Sequence, residues 1–287
     1  MLQVARLAPN LLLEAGPRVV EFLLGQLNGD GGGKDRDGKS DLYYTAFCIE
    51  GLLAMRVDPP ADRVRKYLES FGDGGDLDFV HLCCLVRCWA SIGGDGLGAK
   101  TRMRMAERIA SFRRRDGGFN PTPGETDGTV YHSFLALGAW QDLEMEIPQL
   151  DRLAESVAVL QTQDGAYGNE KSLNIATTPT TAAAATLLRH CSYEVSPRVG
   201  AWLKSRCHES GGFLAIPGAP MPDLLSTATA LHALAGLHVP LEDIQEKCLD
   251  FVDSLWTGRA FCGSWEDDAQ DSEYTYYALL ALGHLSL

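Results

Sequence analysis

Two short carboxylate pairs hold the most chemical potential in this chain. Asp271-Ser272-Glu273-Tyr274-Thr275 opens an apolar C-terminal segment, and Asp76-Leu77-Asp78-Phe79 opens an earlier one. A carboxylate directly before a helix accepts hydrogen bonds from free first-turn amides, a capping role worth about 0.5–2 kcal/mol. Asp41, Asp223 and Asp271 occupy that position. Glu273 falls in a first turn, where the helix dipole favours its ionised form. The same carboxyl becomes a general acid if burial or neighbouring carboxylates hold its proton. Glu266, Asp267, Asp268 and Asp271 are near enough in sequence to supply that repulsion if they converge. His81 and His132 are candidate bases or ligands, with a hydrogen-bonded core role as the plainer reading. Tyr43, Tyr44, Phe79, Tyr131, Phe134, Tyr274 and Tyr277 cluster at helix starts. Their π faces suit a developing cation in an apolar cavity, and equally suit ordinary core packing.

Other chemistries fit less well. The eight cysteines form no CxxC pair, and four lie in apolar helical stretches, where a free thiol behaves as a small hydrophobe. Gly33–Ser40 matches GxxxxGK[ST], but a helical stretch, Pro17–Leu27, precedes it where a phosphate loop requires a strand. Its acidic residues also oppose phosphate, so nucleotide binding is rejected. The net charge of −13 argues against a nucleic-acid backbone as ligand.

The elements that position these residues repeat. Gly263–Gly283 (GSWEDDAQDSEYTYYALLALG) reads as a Gly-aromatic turn, an acidic loop and an apolar helix. The same grammar occurs in Asp116–Trp140 and Gly211–Leu237, and a period of about 45 residues signals a repeat architecture. One helix set is rich in small and apolar residues: Asp41–Met55, Leu77–Ile92, Thr129–Trp140, Thr180–Arg189, Asp223–Leu237 and Asp271–Leu285. The other set is amphipathic: Pro17–Leu27, Ala61–Phe71, Ala99–Arg115, Pro148–Gln161, Pro197–Arg206 and Leu241–Leu255. Helices apolar most of the way round must be buried, and amphipathic ones cover them. The expectation is an all-α, α6/α6 toroid: a closed double ring of about twelve helices, forming a single domain over residues 1–287. An open solenoid is the alternative. The Gly-aromatic turns at Phe119, Tyr167, Phe213 and Trp265 are expected to tie outer helix to inner helix.

Composition is that of a globular chain, with 45% hydrophobic residues and a mean hydropathy of −0.08. No window approaches the roughly 18–20 apolar residues of a membrane span. The N-terminal stretch is too weakly apolar for a secretory signal, so a reducing cytoplasmic location is expected.

The strings LQTQDGAYG, ESGGFLAIPG and CGSWEDDAQDSEYTYYALLALG resemble the repeat of protein prenyltransferase β subunits, shared with squalene- and terpene-cyclase domains. Trp202–Leu237 is most similar to the β subunit of the Rab-type geranylgeranyl transferase. The resemblance implies six parallel inner helices whose N-termini ring the mouth of an apolar funnel. It also implies a zinc site in the transferases, where Asp223 matches the family's Asp but Leu225 replaces its Cys and Tyr274 its His. Zinc needs about three protein ligands, so none is expected as a cofactor. The basic diphosphate-binding positions read Ile216-Pro217-Gly218-Ala219. Cyclases of the superfamily carry an Asp-rich acid at the same helix start, and Asp271-Ser272-Glu273, with Asp76-Leu77-Asp78 as a second, partial match, resembles it.

The resulting expectation is an isoprenoid-handling enzyme that starts a metal-independent cyclisation by protonation. Glu273 is the proton donor, Asp271 its partner, and Asp78 a second acid. Tyr43, Tyr44, Phe79, Tyr131, His132, Phe134, Asp223, Tyr274 and Tyr277 line the substrate site. One alternative is a prenyltransferase with a rebuilt metal or anion site. Another is a non-catalytic toroid that holds a lipid or peptide. The expected partners are an isoprenoid or other apolar small molecule and, by the resemblance, a helical subunit or a second copy.

Overall fold

The computed structural model describes residues 1–93 and 96–287. In chain order its helices are α1 (Leu2–Ala5), α2 (Pro9–Leu12), α3 (Gly16–Gly25), α4 (Leu42–Ala54) and α5 (Ala61–Glu69). There follow α6 (Phe79–Ser91), α7 (Ala99–Ser111), α8 (Val130–Asp142), α9 (Leu150–Ala158) and α10 (Thr178–His190). The last are α11 (Pro197–Lys204), α12 (Leu224–Gly236), α13 (Gln245–Ser254) and α14 (Ser272–Leu285). Two short antiparallel hairpins complete the elements: β1 (Gly33–Lys34) with β2 (Ser40–Asp41), and β3 (Gly168–Glu170) with β4 (Leu173–Ala176).

The inner helices pack in the cyclic order α4, α6, α8, α10, α12, α14 and back to α4, so the ring is closed rather than an open solenoid. They run parallel. At one end the starts of neighbours touch: His81 Nε2 lies 3.0 Å from Asp41 Oδ2, and Ser272 Oγ donates to Tyr44 O at 3.1 Å. At the other end their C-termini touch: Arg87 bonds Glu50 at 3.0 Å and Asp142 at 2.5 Å, and His232 meets His284 at 3.0 Å. The outer helices α3, α5, α7, α9, α11 and α13 cover this ring, and the core fills the space between the layers.

The repeated Ser/Thr has a specific job. Gly33 N–H donates to Thr45 Oγ1 at 2.7 Å, Phe119 N–H to Ser133 Oγ at 3.1 Å, Tyr167 N–H to Thr181 Oγ1 at 3.1 Å and Phe213 N–H to Thr227 Oγ1 at 2.9 Å. All four acceptors are fully buried, so each satisfies a turn amide that has no water to turn to. The turn aromatics also bridge back to the residue just after the outer helix, as in Arg113 with Phe119 and Cys207 with Phe213. This pairing explains why α7, α9 and α11 stop two to four residues short of their expected ends, and α13 one. α10 instead starts two residues early, because Thr177 caps it and Pro179 is tolerated in the first turn.

One turn assignment is corrected. In the last unit the bridging aromatic is Phe261, paired with Trp256 and buried, and it precedes Thr275 by the separation of the other units. Trp265 is 48% exposed, and its indole N–H donates to Ser254 Oγ at 2.9 Å. Consecutive outer helices are locked by the turn glycines. Gly211 sits at φ +97, and a Cβ there would lie 1.7 Å from Lys247 O on α13, a contact only glycine permits.

α1 packs against α4 and α14, and Gly283 lets it in: a Cβ on Gly283 would lie 2.1 Å from Val4 O. Met1 thereby joins Phe134, Pro179, Ala182, Ala183, Thr186, Thr229 and His232 around a void of about 30 Å³ inside the ring. That is room for a water or two, not for an isoprenoid chain.

Candidate functional site

The six inner helices begin at one rim, and four side chains converge there. Glu273, in the first turn of α14, accepts a 2.6 Å hydrogen bond from the Tyr43 hydroxyl in the first turn of α4. Tyr43 stacks edge-on with Phe47 at 4.9 Å, and Phe47 lies 5.5 Å from Tyr277. Phe47 was not singled out from the sequence. Its spacing of four from Tyr43, which puts both on one face of α4, was the available signal. Burial pushes the Tyr43 and Tyr277 phenols well up, and Glu273, Tyr277 and Tyr131 add to the effect on Tyr43. Tyr131, 41% exposed at the start of α8, lies edge-on to His132 at 5.3 Å, and burial raises its phenol, with Cys84, Cys83 and then Glu273 adding to the effect.

Burial raises the Glu273 carboxyl above the usual range; the Tyr43 hydrogen bond opposes this, Asp271 adds to it and Arg36 subtracts. The clustered acids expected to raise it do not all converge. Asp267 is drawn off by Arg36 at 3.0 Å, and among the described residues Asp271 is the carboxylate that acts on Glu273. Asp271 is first a cap, accepting Tyr274 N–H at 2.9 Å through Oδ1 and Arg36 Nε at 3.2 Å through Oδ2. Burial nevertheless raises its own pKa.

The remaining residues have other partners. Asp78 caps α6 and holds His81 Nδ1 at 2.7 Å, and its side chain is 64% exposed. Although slight burial opposes it, the hydrogen bonds and charge of His81 leave its pKa lowered, the wrong direction for a proton donor. His81 bridges Asp78 and Asp41, linking the starts of α4 and α6, and these two carboxylates overcome its burial to raise its pKa. Phe79 is 1% exposed and packs on Phe112 and Phe119 between the layers, which corrects its placement in the funnel wall. His132 bonds Thr129 Oγ1 at 2.8 Å, lies against Phe79 and is lowered by burial. Tyr44 lies edge-on to Tyr43, while Tyr274 faces Gly263 and carries the Arg36 guanidinium 5.6 Å from its ring centre. Phe134 lines the void beside Met1.

At the family's zinc position, Asp223 Oδ1 accepts Ser226 N–H and Oδ2 accepts Ser226 Oγ–H, both at 2.7 Å, and burial raises its pKa. Both oxygens are committed to capping α12. Among the described residues no group of three His, Cys, Asp or Glu side chains is placed to hold a metal ion.

The prenyltransferase α/α-toroid domain model matches residues 71–190 and again 180–286. The chain belongs to this family. Its fold is similar to that of the Candida albicans protein geranylgeranyltransferase-I complexed with GGPP, at TM-score 0.71 and 14% identity over 92% of this chain and 89% of that one. It is also similar to a variant of the type II terpene cyclase MstE from Scytonema in complex with geranylgeranyl dihydroxybenzoate, at TM-score 0.69 and 14% identity over 97% of both chains. A third likeness is a protein from Actinoplanes, at TM-score 0.64 and 16% identity over 95% of this chain and 98% of that one. No curated protein matches the sequence. Among the described residues no helix is long and apolar enough to cross a membrane.

Proposed function

We propose that the chain handles an isoprenoid or related alkene at the rim where the inner helices begin and starts its cyclisation by protonation from Glu273. One observation carries this: a carboxyl with raised proton affinity, set among Tyr43, Phe47 and Tyr277 at the mouth of an apolar ring. The Glu273 proton passes to an alkene carbon, whose π pair forms the new C–H bond and leaves a carbocation. The Tyr43, Phe47 and Tyr277 faces stabilise that cation. The Tyr43 O–H, already on Oε1, stabilises the carboxylate left behind. A second alkene closes the ring by giving its π pair to the cation; a C–H bond beside the new cation then gives its pair to form an alkene and its proton to water at the rim, from which Glu273 is reprotonated. A bound apolar chain excludes the remaining water, which favours the neutral acid before transfer.

The type II terpene cyclase, a fold neighbour bound to geranylgeranyl dihydroxybenzoate, supports the reading. Asp78 has no part in this reaction, and Asp271 serves it through Glu273. The test is incubation with linear polyprenyl alcohols, acids and epoxides, with products read by mass spectrometry. Glu273→Gln is expected to lower turnover by about 10²–10⁴-fold. A Gln variant that turns over an accepted substrate at the wild-type rate sinks the reading.

A further inference from the structure

The Gly-rich segment that fails as a phosphate loop forms the β1–β2 hairpin, and its tip reaches Asp271, the cap two residues before the candidate acid. Asp35 Oδ1 accepts the amides of Asp37 and Lys39, and Asn28 Nδ2 donates to Gly38 O and Ser40 Oγ, so the tip is held from inside and below. Arg36 extends from it across the seam between the first and last units. Its Nε meets Asp271 Oδ2 at 3.2 Å, its Nη2 meets Asp267 Oδ2 at 3.0 Å, and its plane lies over Tyr274. Two acidic residues and one aromatic of the last unit are thereby gathered by one side chain of the first.

Asp271 stands two residues before Glu273 and is buried, with its backbone-capping oxygen fixed on Tyr274 N–H. Unpaired, its charge would oppose ionisation of Glu273 directly. We propose that Arg36 is a positioning residue that holds Asp271 on the α14 cap, offsets its charge, and so sets how readily Glu273 gives up its proton. This rests on the reading of Glu273 as the donor. The groups around Glu273 are Tyr43 and Tyr44 from α4, Tyr131 from α8, Tyr274, Tyr277 and Asp271 from its own unit, and Arg36 from the hairpin. Of these, Arg36 is the cation. It makes Glu273 a stronger acid than burial alone would, while burial keeps the proton in place.

Glu273 ionisation is measurable without substrate, as the infrared carboxylic-acid band lost in the Glu273→Gln difference spectrum. Arg36→Met should move its midpoint upward by on the order of half a pH unit. Arg36→Lys keeps the charge and, if Arg36→Met does not fold, carries the test: its midpoint should stay nearer wild type while losing the two-armed grip on Asp267. Adding Asp271→Asn to Arg36→Met should bring the midpoint back down. With an accepted substrate, the alkaline limb of the pH–rate profile should follow the same shifts. A midpoint unmoved or lowered in Arg36→Met, or, where that variant is unfolded, one that rises in Arg36→Lys as though no charge remained, overturns the proposal. A midpoint that shifts as stated while Glu273→Gln leaves turnover intact sinks the proton-donor reading instead and leaves the coupling standing.

Discussion

Replacing Thr227 by Val isolates what the repeated hydroxyl does. The two side chains are nearly isosteric, so packing is preserved and the change is electrostatic. Thr227 Oγ1 accepts Phe213 N–H at 2.9 Å and donates to Asp223 O at 2.7 Å, and it is fully buried. Valine leaves a buried amide without a partner, at a cost of about 1–3 kcal/mol. Thr275 is the internal control: it donates to Asp271 O at 2.8 Å and, among the described residues, accepts no turn amide. Thr275→Val should lose only about 0.5–1.5 kcal/mol. For a chain of this size each kcal/mol moves the melting temperature by about 2–4 °C. Urea denaturation at constant slope gives the two stabilities, and hydrogen exchange reports the Phe213 amide itself. Equal losses in both variants, or an unchanged Phe213 exchange rate in Thr227→Val, would refute the reasoning.

Other expectations concern the far end of the ring. Burial holds His232 down to about 3 and His284 down to about 4, against an ordinary 6.5. At these two sites the folded chain therefore binds fewer protons than the unfolded one below pH 6.5, and their contribution to stability should fall as pH drops from there toward 3. The His232→Asn/His284→Asn double variant should flatten that fall in a denaturation series, and an unchanged slope counts against it. Arg87→Met strands Glu50 and Asp142 and should destabilise by on the order of 2 kcal/mol, reduced because a third of the Arg87 side chain is exposed. Adding Glu50→Gln and Asp142→Asn should recover most of that loss in the same denaturation assay. Gly283→Ala must push Val4 away and should speed hydrogen exchange in residues 2–5 while widening the void at Met1. Unaltered exchange there would show that α1 is not held by that contact.

The double ring was legible because its causes are local. Small-residue helices, their Asp and Thr caps and the recurring turns are each written within a stretch of about 45 residues, and such signals survive without an alignment. Glu273 was legible for the same reason, as a carboxyl at one helix start. The Tyr43 partner was foreseen as a neighbour in the wall but not as a hydrogen bond, because 230 residues separate them. Arg36 was hidden more deeply: its partner Asp271 lies 235 residues away, and its own motif pointed to phosphate. Trp265 misled because a Gly-aromatic pair defines the turn in sequence. The structure defines the turn by the separation from Thr275, which selects Phe261.

The closed ring also governs how the chain must be made. In a linear array each unit has a stable end to build from, and whole units can be gained or lost. Here α14 has to find α4 across nearly the full length of the polypeptide, and both present apolar flanks until they meet. Such long-range contacts are slow to form. A nascent chain holding only the first units therefore carries two unsatisfied edges. Excision of any one unit should give an aggregating product rather than a smaller ring.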